Sequence, residues 1–201
     1  IFQVTGSGLP TEFPPLRSLD SVPNNLPMQL STFVGRVAEV AQLEGLSAQR
    51  LVTLTGAGGS GKTRLALQVA AEQGPTVSSV WFVDLSSLSD GNDISAHIAS
   101  ILGVREVNDM DILELVIQRL ADHDTLLVLD NCEHLIVESG ELVARLLAAS
   151  SRLRVLVTSR EPLGLPGEVV VRVPSMHVPH RSDPDAESAD SVRLFIERAN
   201  E

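Results

Sequence analysis

Eight residues, Gly56-Ala57-Gly58-Gly59-Ser60-Gly61-Lys62-Thr63, set glycines, a lysine and a hydroxyl at the spacing G-x-x-x-x-G-K-[ST]. Glycines at 56, 58, 59 and 61, with Ser60 between them, allow main-chain N–H groups to turn inward around anionic oxygens. Lys62 can reach the outer phosphates of a nucleotide, and the Thr63 hydroxyl can ligate Mg²⁺. Arg64 stands next in line as a further candidate for the bound ligand. Lys62 is also the only lysine in the chain. A Gly-rich turn can arise by chance, so the flanks decide. Leu51-Val52-Thr53-Leu54-Thr55 precedes the loop as a short β-type run. Leu65, Ala66, Val69 and Ala70 follow it at helical spacing. Strand, glycine loop and helix come in the order phosphate binding needs, with the positive helix end aimed at the anion.

Other chemistry-bearing residues sit at the ends of apolar runs. Thr125-Leu126-Leu127-Val128-Leu129-Asp130 reads as a strand ending in a carboxylate. In an open parallel α/β sheet, ligands lie beyond the carboxyl ends of the strands. Asp130 can there hold Mg²⁺ opposite Thr63, or merely cap a turn. Glu133 lies just past it, as a general base orienting a water or as a helix-entry acid. Arg154-Val155-Leu156-Val157-Thr158 is another strand. It leads to Ser159-Arg160, where Arg160 is a candidate sensor of the outermost phosphate or a surface residue. Val34 and Arg36, in Phe33-Val34-Gly35-Arg36, could wall a base pocket or simply begin a helix. Cys132 reads as a packing residue and His134 as a loop residue. His177 and His180 lack evident metal-ligand partners.

The remaining elements follow from periodicity. Residues 77–85 and 169–173 read as strands; 93–104, 110–121, 141–150 and 192–199 read as helices. Hydrophobic residues make up 43% of the 201 residues, but aromatics only 3%. A core of Leu, Val, Ile and Ala suits a parallel sheet covered by helices. The net charge of −11 and a pI near 4.8 argue against this segment gripping DNA or an anionic membrane. A single cysteine excludes an intramolecular disulfide and a Cys₄ zinc site, and suits a reducing, cytoplasmic setting. No apolar run approaches the roughly 18 residues of a membrane span. Residues 1–4 resemble an end strand of a preceding domain. Residues 5–32 carry Pro10, Pro14, Pro15, Pro23 and Pro27, the composition of a linker. Residues 33–201 form the expected nucleotide-binding domain.

Four blocks in fixed order carry a resemblance: TFVGR at 32–36, LTGAGGSGKTRLA at 54–66, LLVLDNCEH at 126–134 and LVTSREPLGLPGE at 156–168. Together they resemble the NB-ARC type of signalling ATPase in the STAND class, as found in bacterial multidomain regulators. The resemblance implies a P-loop NTPase fold with a five-stranded parallel sheet of order 2-3-4-1-5. It implies that the Val34 backbone and Arg36 help hold adenine and a neighbouring phosphate. Lys62 and Thr63 would bind phosphate and Mg²⁺, Asp130 would hold Mg²⁺, and Arg160 would be the phosphate sensor. Such proteins rest on ADP, open on exchange for ATP and hydrolyse slowly. Nucleotide-dependent oligomerisation is a further expectation. The family's helical and winged-helix modules, which close over ADP, are expected beyond residue 201. Residues 1–27 resemble the tail that joins a class III nucleotidyl cyclase domain to such an ATPase. Relatives often end in a LuxR-type helix-turn-helix, and DNA binding would belong to that part.

The chain departs from the family where a second acid often follows the strand-end aspartate: here it is Asn131. That leaves Glu133 as the candidate base and opens a second reading, a nucleotide-holding oligomerisation module without significant hydrolysis. A small-molecule kinase would need an Arg-rich lid, and residues 161–190 hold only Arg172 and Arg181. A GTPase would need a guanine-reading Asn-Lys-x-Asp, and Lys62 is already committed to the loop.

Overall fold

A computed structural model describes residues 22–105, 110–121, 123–180, 187 and 189–199. Five strands form one sheet: β1 Leu51–Thr55, β2 Ser79–Asp84, β3 Thr125–Asp130, β4 Leu153–Ser159 and β5 Val169–Arg172. Their order is β2-β3-β4-β1-β5 and every pairing is parallel, as expected. Both faces are covered, so β1 and β3 are buried along their whole length and read as nearly unbroken apolar runs. Strand period two sorts the side chains between two cores. Val52, Leu54, Leu126, Val128 and Leu156 face one cluster. Leu51, Leu127, Leu129, Val155 and Val157 face the other.

Helices α1 Val37–Gly45 and α2 Lys62–Gln73 cover the first face through Leu43, Leu65, Ala66, Val69 and Ala70. Helices α3 Ile94–Leu102, α4 Ile112–Ala121 and α5 Ile136–Ala149 cover the second through Ile98, Val116, Leu120, Val143 and Leu146. The last helix, α6 Asp190–Ala199, buries none of its residues. Among the described residues no helix is long and apolar enough to cross a membrane.

Two expectations change. Helix α5 starts at Ile136, five residues before the expected Glu141. Ser139 and Gly140 lie buried inside it and interrupt the apolar pattern, and a glycine reads as a stop. The described end of the proline-rich segment is docked on the sheet. Val80 N donates to Pro23 O at 3.0 Å. The Asn25 amide pairs both ways with the Phe82 main chain, at 2.8 and 2.7 Å. One side chain thus stands in for a strand neighbour and covers the open edge of β2. Residues 1–21, which include the expected end strand and most of the linker, lie outside the described residues, as does Arg181.

Candidate functional site

The carboxyl ends of the five strands point to one edge of the sheet, and the glycine loop turns there between β1 and α2. Gly56 passes so close to β5 that a Cβ on it would lie 2.4 Å from the Val173 carbonyl oxygen. Gly61 has φ +88°, a left-handed value that favours glycine, and the helix begins directly after it at Lys62. The first amides of α2 have no partner within the helix and open toward the loop. Lys62 is buried, and its Nζ donates to Gly56 O at 2.9 Å and Ala57 O at 3.1 Å. The ammonium therefore lies inside the loop's own curl.

Asp130, at the end of β3, is 2% exposed. It accepts from Thr63 Oγ1 at 2.9 and 3.0 Å, from the Thr158 hydroxyl and from Asn131 Nδ2 at 3.1 Å. Burial pushes its carboxyl above the ordinary range. The Thr158 and Thr63 hydrogen bonds oppose that rise, while the nearby charges of Asp84 and Glu133 add to it. Asp84 is the register partner of Asp130 at the end of β2. Burial raises its pKa too, but hydrogen bonds from Ser86 and Asn131, with the His97 charge, outweigh that and hold it below the ordinary range. Asn131 donates to Asp84 at 3.1 Å and so bridges the two carboxylates. Thr63, Asp130 and Asp84 offer only oxygen donors, the set that a hard divalent cation takes. Among the described residues no three His, Cys, Asp or Glu converge as a self-sufficient metal cage.

Glu133 and Arg160 form an ion pair, Nε to Oε1 at 3.3 Å, with the Arg160 side chain 68% exposed. The other Glu133 oxygen is buried and has no protein partner. The Arg160 guanidinium lies 3.9 Å from where a Cβ on Gly58 would stand, so it hangs over the loop.

On the other side of the loop is a cavity of about 400 Å³, lined by Phe33, Val34, Met176, Val178 and Leu194 together with Gly59, Ser60 and Gly61. Arg36, φ +56°, joins cavity and loop. Its guanidinium donates to Ser60 O, to Pro174 O at 2.8 Å and to Glu39 at 3.0 Å. Arg36 Nε and Ser60 Oγ are buried without partners. Arg64 borders the same cavity, with its guanidinium bonded to Ser31 Oγ and O and to Thr32 O at 2.8–2.9 Å.

All the candidate residues named from the sequence thus lie around one loop. Sequence reading missed Asp84, Thr158 and the bridging role of Asn131. Asp84 had a signal, since Val83-Asp84 ends β2 as Leu129-Asp130 ends β3. The bland readings also hold. Cys132 is buried, with its thiol pushed up to about 12 chiefly by burial. His134 Nε2 meets Leu88 O at 2.9 Å, but from a short 3₁₀ helix, Cys132–His134, rather than a loop. A wider concavity of about 940 Å³ lies at the opposite edge of the sheet, but there Arg50 and Arg154 are tied to main-chain carbonyls.

A parallel sheet of this order with a glycine loop and strand-end aspartate defines a P-loop NTPase. Residues 44–163 match the family described as AAA domain, which is more than half of the chain. The chain belongs to that family. It is 35% identical over 181 residues to an uncharacterized protein of Mycobacterium tuberculosis, covering 89% of this chain and 44% of that protein. It is 37% identical over 155 residues to a second protein of that organism, provisionally named an HTH-type transcriptional regulator, covering 77% of this chain and 16% of the relative. The chain therefore spans less than half the length of these relatives. Among the solved structures that share its fold are two with TM-scores above 0.5. One is a STAND protein with a tetratricopeptide repeat sensor from Pyrococcus horikoshii (TM-score 0.53, 19% identity, 86% of this chain and 29% of that one). The other is Cdc6p from Pyrobaculum aerophilum (TM-score 0.51, 18% identity, 74% and 47%).

Proposed function

We propose that the chain is the adenine-nucleotide-binding core of an NB-ARC-like signalling switch, within a larger bacterial transcriptional regulator, and that it hydrolyses ATP slowly with Mg²⁺. The observation that carries this is the row of buried Lys62, half-buried Thr63 and buried Asp130 beside a nucleoside-sized cavity. Lys62 now spends its charge on two carbonyls; phosphate oxygens are stronger partners for an ammonium and would replace them. Gly56, Gly58, Gly59 and Gly61 supply close main-chain approach. The partnerless Ser60 hydroxyl and the Arg36 Nε lie where polar atoms of a ligand would satisfy them. Val34 and Phe33 give the base an apolar wall.

Thr63 and Asp130 would hold Mg²⁺, which when bound offsets the charge on the outer phosphates. Asp130 has a raised pKa chiefly because it is buried, with the charges of Asp84 and Glu133 adding to the rise, and a cation at its carboxylate would offset both. Arg160 over the loop is suited to meet the outermost phosphate. In doing so it would leave Glu133, whose freed carboxylate could then orient a water. The relative named as a regulator supports the transcriptional setting, and DNA contact would belong to a region outside this acidic chain. A LuxR-type helix-turn-helix and a cyclase domain are the proposed flanks, and contacts with them, or between copies, would read out the nucleotide.

Two observations favour a second reading, a nucleotide-holding module without turnover: Asn131 occupies the position of the second acid, and Glu133 is engaged by Arg160. Single-turnover ATP hydrolysis by wild type and Glu133→Gln separates the two. Mg²⁺-dependent ADP formation that falls at least about tenfold in the variant is the result expected of a general base. Tight ATP binding with no ADP formed would establish the second reading.

A further inference from the structure

The α6 helix is fastened to the rest of the molecule in an unusual way. It buries none of its residues, yet Ser191, Leu194 and Arg198 line the 400 Å³ cavity opposite Phe33 and Val34. Two hydrogen bonds hold its first turn. Asp190 Oδ2 accepts from the Arg36 main-chain N–H at 3.2 Å. Ser191 Oγ donates to His177 O at 2.6 Å. The Asp190 contact needs a special backbone. Gly35 has φ +69° and Arg36 φ +56°, and a Cβ on Gly35 would stand 2.1 Å from Asp190 Oδ2. Asp190 therefore fills the space that a side chain at 35 would take. The same Arg36 whose amide receives Asp190 sends its guanidinium to Ser60 O in the phosphate loop.

We infer that α6 is the closing wall of the base-binding cavity and that Asp190 is the positioning residue that latches it, through Arg36, to the phosphate loop. This deepens the proposed nucleotide site and rests on it. The latch involves no phosphate contact, so it should govern the part of the affinity that comes from the nucleoside and leave the part that comes from the phosphates. The apolar contribution of one lost pocket wall is about tenfold or more in affinity. Because α6 is clipped at its first turn and none of its residues is buried, release would also quicken escape of the nucleotide rather than slow its entry.

The test compares Mg²⁺-ADP with Mg²⁺-pyrophosphate, by competition against a fluorescent ADP, in wild type, Asp190→Ala, Asp190→Asn and Gly35→Ala. Trp81 fluorescence confirms that each variant is folded. The expected result is that Asp190→Ala and Gly35→Ala weaken ADP by about tenfold, through faster dissociation, while pyrophosphate affinity stays within about twofold. Asp190→Asn, which keeps an acceptor oxygen for the Arg36 amide, should restore ADP binding. ADP affinity unchanged in Asp190→Ala overturns the latch and leaves the nucleotide site standing. An equal loss of ADP and pyrophosphate overturns it too, because Asp190 would then act on the fold or the loop. Asp190→Asn as weak as Asp190→Ala overturns the hydrogen bond as the basis of the latch. Wild type that binds neither ligand removes the nucleotide reading itself, and the latch with it.

Discussion

Asp130 carries a charge that its surroundings resist. Its pKa is raised above the ordinary 3.8, so the native state holds that proton more tightly than the unfolded chain does. The linked stability is full below 3.8 and is lost as pH rises through the higher native value; at neutral pH the ionised carboxylate weighs against folding. Asp84 has the opposite sign: its pKa is lowered, so its contribution is present above 3.8 and lost as pH falls through the native value. Asp130→Asn should therefore raise the melting temperature of the nucleotide-free protein at pH 7 and lose that advantage in acid. It should also abolish the Mg²⁺ dependence of nucleotide affinity. Melting curves across pH 4–8 check the first part, and a variant less stable than wild type at pH 7 would show that the charge is not the cost. At this scale Lys62, Thr63 and Asp130 were legible because motif spacing and strand ends announce them. Thr158 was not, since its hydroxyl matters only once β4 lies beside β3.

Elements bring these residues together, and some of the joints have no periodic signature. Ser31 and Thr32 read as the end of a linker, yet Arg64, one residue into α2 from Thr63, grips both through three hydrogen bonds. The segment 22–36 thereby runs from the covered edge of β2 to the wall of the cavity. Arg64→Ala should loosen it: a loss of about 1–3 kcal/mol in stability, with faster hydrogen exchange confined to residues 31–36. Unchanged exchange there would mean that Leu26 and Phe33, which pack on the core, are enough to hold it. The strands β1, β3 and β4 were legible within a residue, because burial on both faces demands unbroken apolar runs. The start of α5 was hidden by Ser139 and Gly140, which lie buried inside it and break the apolar pattern; a Cβ on Gly140 would meet the Leu163 carbonyl at an ordinary 3.7 Å, so nothing crowded there demands a glycine. The clip between Gly35 and Asp190 joins residues more than 150 positions apart and leaves no local pattern at all.

The whole molecule is a parallel sheet whose carboxyl edge gathers a phosphate loop, a strand-end carboxylate and a cavity. The strand order came from the family resemblance, not from any single strand, because periodicity is silent on which strands are neighbours. Two cores of Leu, Val, Ile and Ala on either side keep that edge in place, and α6 lies outside both. The central claim is that this edge holds an adenine nucleotide through Lys62. Equilibrium titration of the chain with a fluorescent ADP, in Mg²⁺, with ATP and GTP as competitors and Lys62→Ala beside it, tests that most directly. The expected result is saturable binding displaced by ATP and not by GTP, weakened at least about a hundredfold in the variant, the scale of losing a buried charge-assisted contact. A folded wild-type chain that does not bind ADP, or a Lys62→Ala chain that binds it equally well, would contradict the claim.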